Sequence, residues 1–115
     1  MTSQACLFCK MASGEMAVPK LHDDDLCFAI RDIHPRAPVH FMVIPHKHVR
    51  SALEMTPDDA ALGGRLFTVA AQIAREKGIA DSGFRLATNT GPDANQTVFH
   101  FHLHCLGGRK LGREG

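Results

Sequence analysis

Three histidines, His100, His102 and His104, stand at every second position of the stretch TVFHFHLHCL (Thr97 to Leu106), with Phe99, Phe101, Leu103 and Cys105 between and beside them. Imidazole has an ordinary pKa near 6.5, which leaves much of it neutral at pH 7, able to donate, accept or attack. A row of such rings suits an extended anionic group, because each ring meets it at a different point. Histidine can also be a nucleophile at phosphorus, forming a phospho-histidine that water later cleaves. A single shared metal ion fits the row less well. Residues two apart on a strand are about 6.6 Å apart, so His100 and His104 would lie about 13 Å apart, against metal–nitrogen bonds of about 2.0–2.1 Å. A solvent-facing strand with a chance run of histidines is the plain alternative. Three in register against a wholly apolar opposite face argue against it.

Immediately upstream, NTGPDANQT (Asn89 to Thr97) supplies amide and hydroxyl groups together with backbone N–H groups freed by glycine and turn geometry. Such a loop makes an anion-binding concavity. Polar turns are common and most bind only water, but beside three histidines this one reads as a phosphate holder. No lysine-bearing P-loop is present, so energy-coupled nucleotide hydrolysis is not indicated.

The elements that must position these groups follow from periodicity. Strict apolar–polar alternation is the period of a half-buried strand, which sends Phe99, Phe101, Leu103 and Cys105 into a core and the histidines to the other face. CLFCKMASGE reads as a short helix ending near Gly14, with Cys6 and Cys9 on one face. PKLHDDDLCFAIRD reads as two strands joined through the acidic turn Asp23–Asp25, and VHFMVIP as a third closed by Pro45. TPDDAALGGRLFTVAAQIAREKG is the one long helix. Thr56 is placed to cap it, Pro57 suits its first turn, Leu62, Leu66, Val69 and Ile73 form its apolar stripe, and Gly78 ends it. Its Gly63–Gly64 pair is costly for a helix, and close packing against another backbone is one reason for such a pair. GFRLATN is a fourth strand and the histidine segment a fifth. The expected fold is α+β: about five antiparallel strands with one long helix and a short N-terminal one.

Composition bounds the rest. A chain of 115 residues with 44% hydrophobic content forms one domain, 1–115, with one core. A net charge of +1 argues against a nucleic-acid protein working through a large basic surface. No apolar run approaches transmembrane length and MTSQACLFCK lacks the apolar region of a secretory signal, so a cytoplasmic protein with no membrane partner is expected. There the four cysteines read as reduced thiols or metal ligands. Cys27 and Cys105 fall in apolar runs and read as core. His22, His34 and His46 lie in or beside turns and read as solvated. On the sequence alone Asp32 reads as an ordinary turn acid.

QTVFHFHLHCLGGR resembles the signature of the histidine-triad (HIT) family, His–apolar–His–apolar–His followed by two apolar residues. CLFCKMASGE resembles the family's N-terminal helix, FAIRDIHPRAPVHFMVIPHKHV its central hairpin, and NTGPDANQTVFHFHLH its phosphate loop and catalytic strand. Nearly the whole chain is covered in order. The LGGR after the triad and the short tail look most like the Hint branch, the nucleoside phosphoramidases, and less like the dinucleoside polyphosphate hydrolases.

That resemblance implies a HIT-like fold and a role for each matching residue. His102 would be the nucleophile, His104 would contact the phosphate and help the leaving group depart, and His100 would orient the array with His40 as a fourth imidazole. Asn89, Gln96 and Thr97 would hold the phosphate. Asp32 would grip ribose hydroxyls, and Phe8, Ile30 and Ile33 would sandwich the base, although by default the last three are core residues. Asn95 stands where the family commonly has glycine, and asparagine tolerates left-handed backbone better than most residues. Some bacterial members carry zinc at positions matching Cys6, Cys9, His48 and His100. Zinc would then be structural, tying the N-terminal helix to the sheet, and unnecessary for the chemistry; the alternative is an empty pair of reduced cysteines.

The implied activity is hydrolysis of purine nucleoside phosphoramidates of the AMP–amine type through a nucleotidyl-histidine intermediate, by a homodimer. The departing amine needs a proton, which imidazole can supply. Competing readings are a dinucleoside polyphosphate hydrolase, a nucleotide-binding interaction protein with incidental turnover, and a metal-centred enzyme using the histidines as ligands.

Overall fold

Side chains alternate across a strand, so odd and even positions go to opposite faces, and the central strands show this residue by residue. In the computed structural model, which describes residues 6–114, β3 (Val39–Pro45) lies between β2 (Cys27–Arg31) and β5 (Leu103–Gly107), antiparallel to both. With β1 (His22–Asp23) and β4 (Phe84–Ala87) they form one antiparallel sheet of five strands in the order β1-β2-β3-β5-β4. Cys27, Ala29, Phe41, Val43, Leu103 and Cys105 pack on one face against the long helix α2 (Ala60–Glu76). Phe28, Ile30, Met42 and Ile44 pack on the other face with Cys6 and Phe8, at and within the short helix α1 (Leu7–Ser13). The parity that separates these cores also delivers His40 and His104 to the α1 face, where His104 stands opposite Met42 in the register. The expected α+β architecture is the one observed.

Local sequence explains the long helix. Thr56 N–H donates to the Asp59 carboxylate at 3.0 Å across a 3-10 turn, Pro57–Asp59, that leads into α2. Leu62, Leu66, Val69 and Ile73 are all buried, as the apolar stripe requires. Gly63 and Gly64 are not explained by packing among the described residues: a Cβ at Gly63 would meet only Met55 Cε, at 3.9 Å, and one at Gly64 nothing within 4 Å. Among these residues no helix is long and apolar enough to cross a membrane.

Two expectations need correction. The histidine strand is shorter than the alternation implies, since β5 begins only at Leu103 and Phe99 is about half exposed. The Phe101 N–H leaves the ladder for the Val49 carbonyl at 2.7 Å, which turns the chain out of the sheet ahead of Leu103. His22 and His46 are also not simply solvated. They pair with the acidic turn, His22 with Asp24 at 2.6 Å and His46 with Asp23 at 2.9 Å. His34 is exposed as expected, and Cys27 and Cys105 are fully buried.

Candidate functional site

Where the polar loops meet the α1 face of the sheet they enclose a cavity of about 540 Å³. One side is apolar, lined by Leu7, Phe8, Met11, Ile30, Ile33 and Met42; the other carries Asn89, Gln96, Thr97, His102 and His104, with Asp32 between them. Phe8 and Ile30 are core residues that also face the cavity, whereas Ile33, 85% exposed, is wall alone and no part of a core.

His102 is oriented by main chain. Its Nδ1 lies 2.8 Å from the His100 carbonyl. A carbonyl only accepts, so Nδ1 carries a proton and, in the neutral ring, Nε2 keeps a free lone pair. The Phe8 ring packs edge-on against His102, with centroids 5.2 Å apart, and the His104 ring stands 4.9 Å from it. Burial, together with the charges of His102 and His40, pushes the His104 pKa down to about 4, so this ring is neutral at pH 7. Burial likewise lowers His40 despite the nearby Asp32 carboxylate. His40 Nε2 lies 2.9 Å from His104 Nδ1 and 3.3 Å from Asp32 Oδ2. The other Asp32 oxygen accepts the His34 N–H at 2.8 Å, which closes a tight turn around the carboxylate.

The loop before the triad is pinned from within. The Gln96 carbonyl oxygen accepts the Gly91 N–H at 2.9 Å, and its amide donates to the Arg50 carbonyl at 2.7 Å. Gln96 thus shapes the loop, while Asn89 and Thr97 line the cavity beside it. Asn95 adopts φ 59°, ψ 38°, a left-handed conformation that asparagine tolerates better than most residues.

His100 does not join the other two rings. It is completely buried, and its side chain turns to α1, where Cys6 Sγ and Cys9 Sγ lie 3.2 and 3.5 Å from its Nδ1. His48 Nδ1 lies 3.1 Å from both Cys9 Sγ and His100 Nδ1. A tetrahedral zinc with ordinary bond lengths would separate its ligands by roughly 3.3 Å (N to N) and 3.6 Å (S to N), so the four donors fit with small adjustments. The His100 Nε2–H donates to the Pro45 carbonyl at 2.8 Å, which leaves Nδ1 unprotonated and facing the cysteines. Among the described residues the buried His48 Nε2 has no hydrogen-bond partner, so within them that ring is held from the cluster side alone. Burial, then the hydrogen bond and charge of Cys6, push the Cys9 thiol up to about 12; a divalent cation reverses this by taking the proton's place. Asp32, His40 and His104 also converge. There both His40 nitrogens already have hydrogen-bond partners, which marks a hydrogen-bonded network rather than an ion site.

Spacing alone missed several groups. Met11, Met42 and Arg36 also line the cavity, and the Pro45 and His100 carbonyls set two ring tautomers. Main-chain acceptors leave no signal in side-chain spacing.

The profile of the HIT domain matches residues 13–111. The purine nucleoside phosphoramidase of Escherichia coli K12 is 39% identical over 110 residues, which cover 96% of this chain and 92% of that one. Among solved structures, a HIT family hydrolase from Clostridium thermocellum superposes with a TM-score of 0.93 at 39% identity, covering 98% of each chain. A zinc-bound histidine triad family protein from Mycobacterium smegmatis superposes with a TM-score of 0.79 at 33% identity, over 94% of this chain and 78% of that one.

Proposed function

The chain belongs to the HIT domain family, and from that premise we propose that it cleaves the P–N bond of purine nucleoside phosphoramidates through a nucleotidyl group carried on His102. One observation carries the reading: the His102 Nδ1–H is held by the His100 carbonyl at 2.8 Å, which aims an unprotonated Nε2 at the cavity. That lone pair forms the bond to phosphorus while the P–N bond breaks. The departing nitrogen carries away the electron pair and takes a proton from solvent as it becomes an amine, and the attacking water returns one proton to solvent in the second step. His104, the adjacent ring, offers an N–H to the phosphoryl group and the leaving nitrogen. Water then attacks the same phosphorus, releases the nucleoside monophosphate and restores the imidazole.

The rest of the cavity supplies binding. Phe8, Ile30 and Ile33 flank the base, the Asp32 carboxylate accepts from the ribose hydroxyls, and Asn89 and Thr97 hold the phosphate in a loop that Gln96 keeps in shape. Zinc at Cys6, Cys9, His48 and His100 would tie α1 to the sheet and so hold Phe8 in the cavity wall; when bound it supplies cross-linking and no chemistry to the reacting atoms. The protein works in the cytoplasm, where thiols stay reduced. It works as a homodimer, whose contact face is supported by the half-exposed Phe67 and the open Gly64 on α2 and by the free edge of β4.

Adenosine-5′-phosphoramidate and a diadenosine polyphosphate, each offered to the wild type and to His102→Ala, test the proposal. Wild type should release AMP from the phosphoramidate in preference to the dinucleotide, and the folded variant should still bind AMP but release none. Equal turnover by both proteins would remove His102 from its role. Binding without turnover of either substrate would make this a nucleotide-binding protein.

A further inference from the structure

Gly107, Gly108 and Arg109 follow the histidine triad, and none of them lines the cavity. Gly108 and Arg109 instead touch the proline-rich loop ahead of β3. A Cβ on Gly108, where φ is +95°, would lie 2.9 Å from Pro38 Cβ and 3.5 Å from Val39 N, so tail and loop approach as closely as glycine alone permits. The Arg109 guanidinium donates to the Arg36 carbonyl at 2.7 Å and to the Lys110 carbonyl at 2.9 Å. Arg36, held in this way, donates its own main-chain N–H to His40 Nδ1 at 3.1 Å.

The proton positions follow in sequence. An amide N–H can only donate, so His40 Nδ1 is an acceptor and the proton of the neutral ring sits on Nε2. That N–H finds His104 Nδ1 at 2.9 Å, nearer than the Asp32 carboxylate at 3.3 Å. His104 Nδ1 is therefore an acceptor too, and its ring proton sits on Nε2. Both rings are neutral at pH 7, because burial lowers both pKa values.

We propose that Gly108 and Arg109 form a clamp that, through the Arg36 amide and His40, holds His104 as the Nε2–H tautomer, the form that presents an N–H rather than a lone pair to the phosphoryl group on His102. Arg109 is a positioning residue, 73 residues from the carbonyl it grips. The inference rests on the reading of His102 as the nucleophile and names what sets the protonation of its neighbour. With the opposite tautomer, a lone pair on His104 would face an anionic oxygen, and the transition state would lose a hydrogen bond.

Long-range proton–nitrogen correlation spectra of the histidine rings, recorded on the full chain at pH 7, test this directly. Wild type should show His40 and His104 both protonated at Nε2. Arg109→Ala should give His104 a mixture of tautomers, Arg109→Lys should restore it in part, and Arg36→Ala, which keeps the main-chain N–H, should leave it unchanged. In the same proteins, with thermal midpoints checked, Arg109→Ala should lower kcat for an AMP–amine substrate roughly tenfold with KM within about twofold. Arg36→Pro, which removes the N–H along with the side chain already controlled for by Arg36→Ala and leaves Arg109 in place, should shift the tautomer as Arg109→Ala does. A wild-type His104 protonated at Nδ1 overturns the proposal, and so does an unchanged tautomer in Arg109→Ala or in Arg36→Pro. If the tautomers shift as stated while the wild type cleaves no phosphoramidate, the clamp stands and the phosphoramidase reading falls.

Discussion

Stripping the cation from the Cys6, Cys9, His48 and His100 cluster should lower the thermal midpoint by an amount that the chain itself sets. Four of the six donor pairs stand 3.1–3.5 Å apart and all four donors lie within 4.8 Å of one another, so binding needs little rearrangement of the folded state, and the unfolded chain offers no such arrangement. At free zinc about one hundred times the dissociation constant, the folded state gains about 2.7 kcal/mol. Unfolding entropy of about 2.1 cal/mol/K per residue gives about 0.24 kcal/mol/K for 115 residues. The midpoint should then fall by about 11 °C on stripping. Far-ultraviolet circular dichroism is the assay, since the chain has no tryptophan or tyrosine to report by fluorescence. Metal content by plasma emission should give one zinc per chain in the wild type, and Cys9→Ser should lose both the zinc and the response. A midpoint that moves by less than about 2 °C, in protein shown to have lost stoichiometric zinc, would falsify a stabilising role for the cluster.

Two further outcomes are expected. Phe8→Ala removes the ring that packs on His102 and walls the base side of the cavity, and should weaken AMP binding by about 1–2 kcal/mol, roughly five- to thirtyfold, in a calorimetric titration; unchanged affinity would place the base elsewhere. His104, held near 4 in the fold against about 6.5 unfolded, takes its proton more readily when unfolded, so the stability tied to its neutral form is present above about pH 6.5 and lost as pH falls towards 4. The urea midpoint should accordingly drop between pH 7 and pH 5, and drop less in His104→Asn; equal drops would assign the acid sensitivity to other groups.

The sheet and α2 were legible because their signals are local. The apolar stripe of α2 and the even–odd split of β3 each lie within a few residues of one another, and burial follows them, although Thr56 caps the 3-10 turn Pro57–Asp59 and α2 itself begins only at Ala60. The histidine segment was half legible: its parity holds from Phe101 onward, but the strand does not reach back to Phe99. The cause is non-local. The His100 ring meets cysteines more than 90 residues away, and Phe101 bonds to Val49, so the segment leaves the ladder to meet them. Alternation cannot report a partner at that separation, and only the family resemblance brought Cys6, Cys9, His48 and His100 together. The pairing of His22 with Asp24 spans only two residues, but turn histidines are usually solvated, so their spacing does not single it out. Nothing in the sequence marks Arg36 as a main-chain donor to His40, since any residue but proline would offer the same N–H.

His100 belongs to two networks through different parts of one residue. Its ring sits among the cysteines, while its carbonyl orients His102. Every amino acid has that carbonyl, so a lineage could exchange the side chain at position 100 and keep the His102 ring held by the same hydrogen bond, provided the main chain kept its path. On the proposed mechanism the middle histidine has no such freedom, because its own ring would carry the nucleotidyl group. Of the three, the first is therefore where drift can uncouple metal dependence from turnover, and a protein without the cysteines could inherit the mechanism intact.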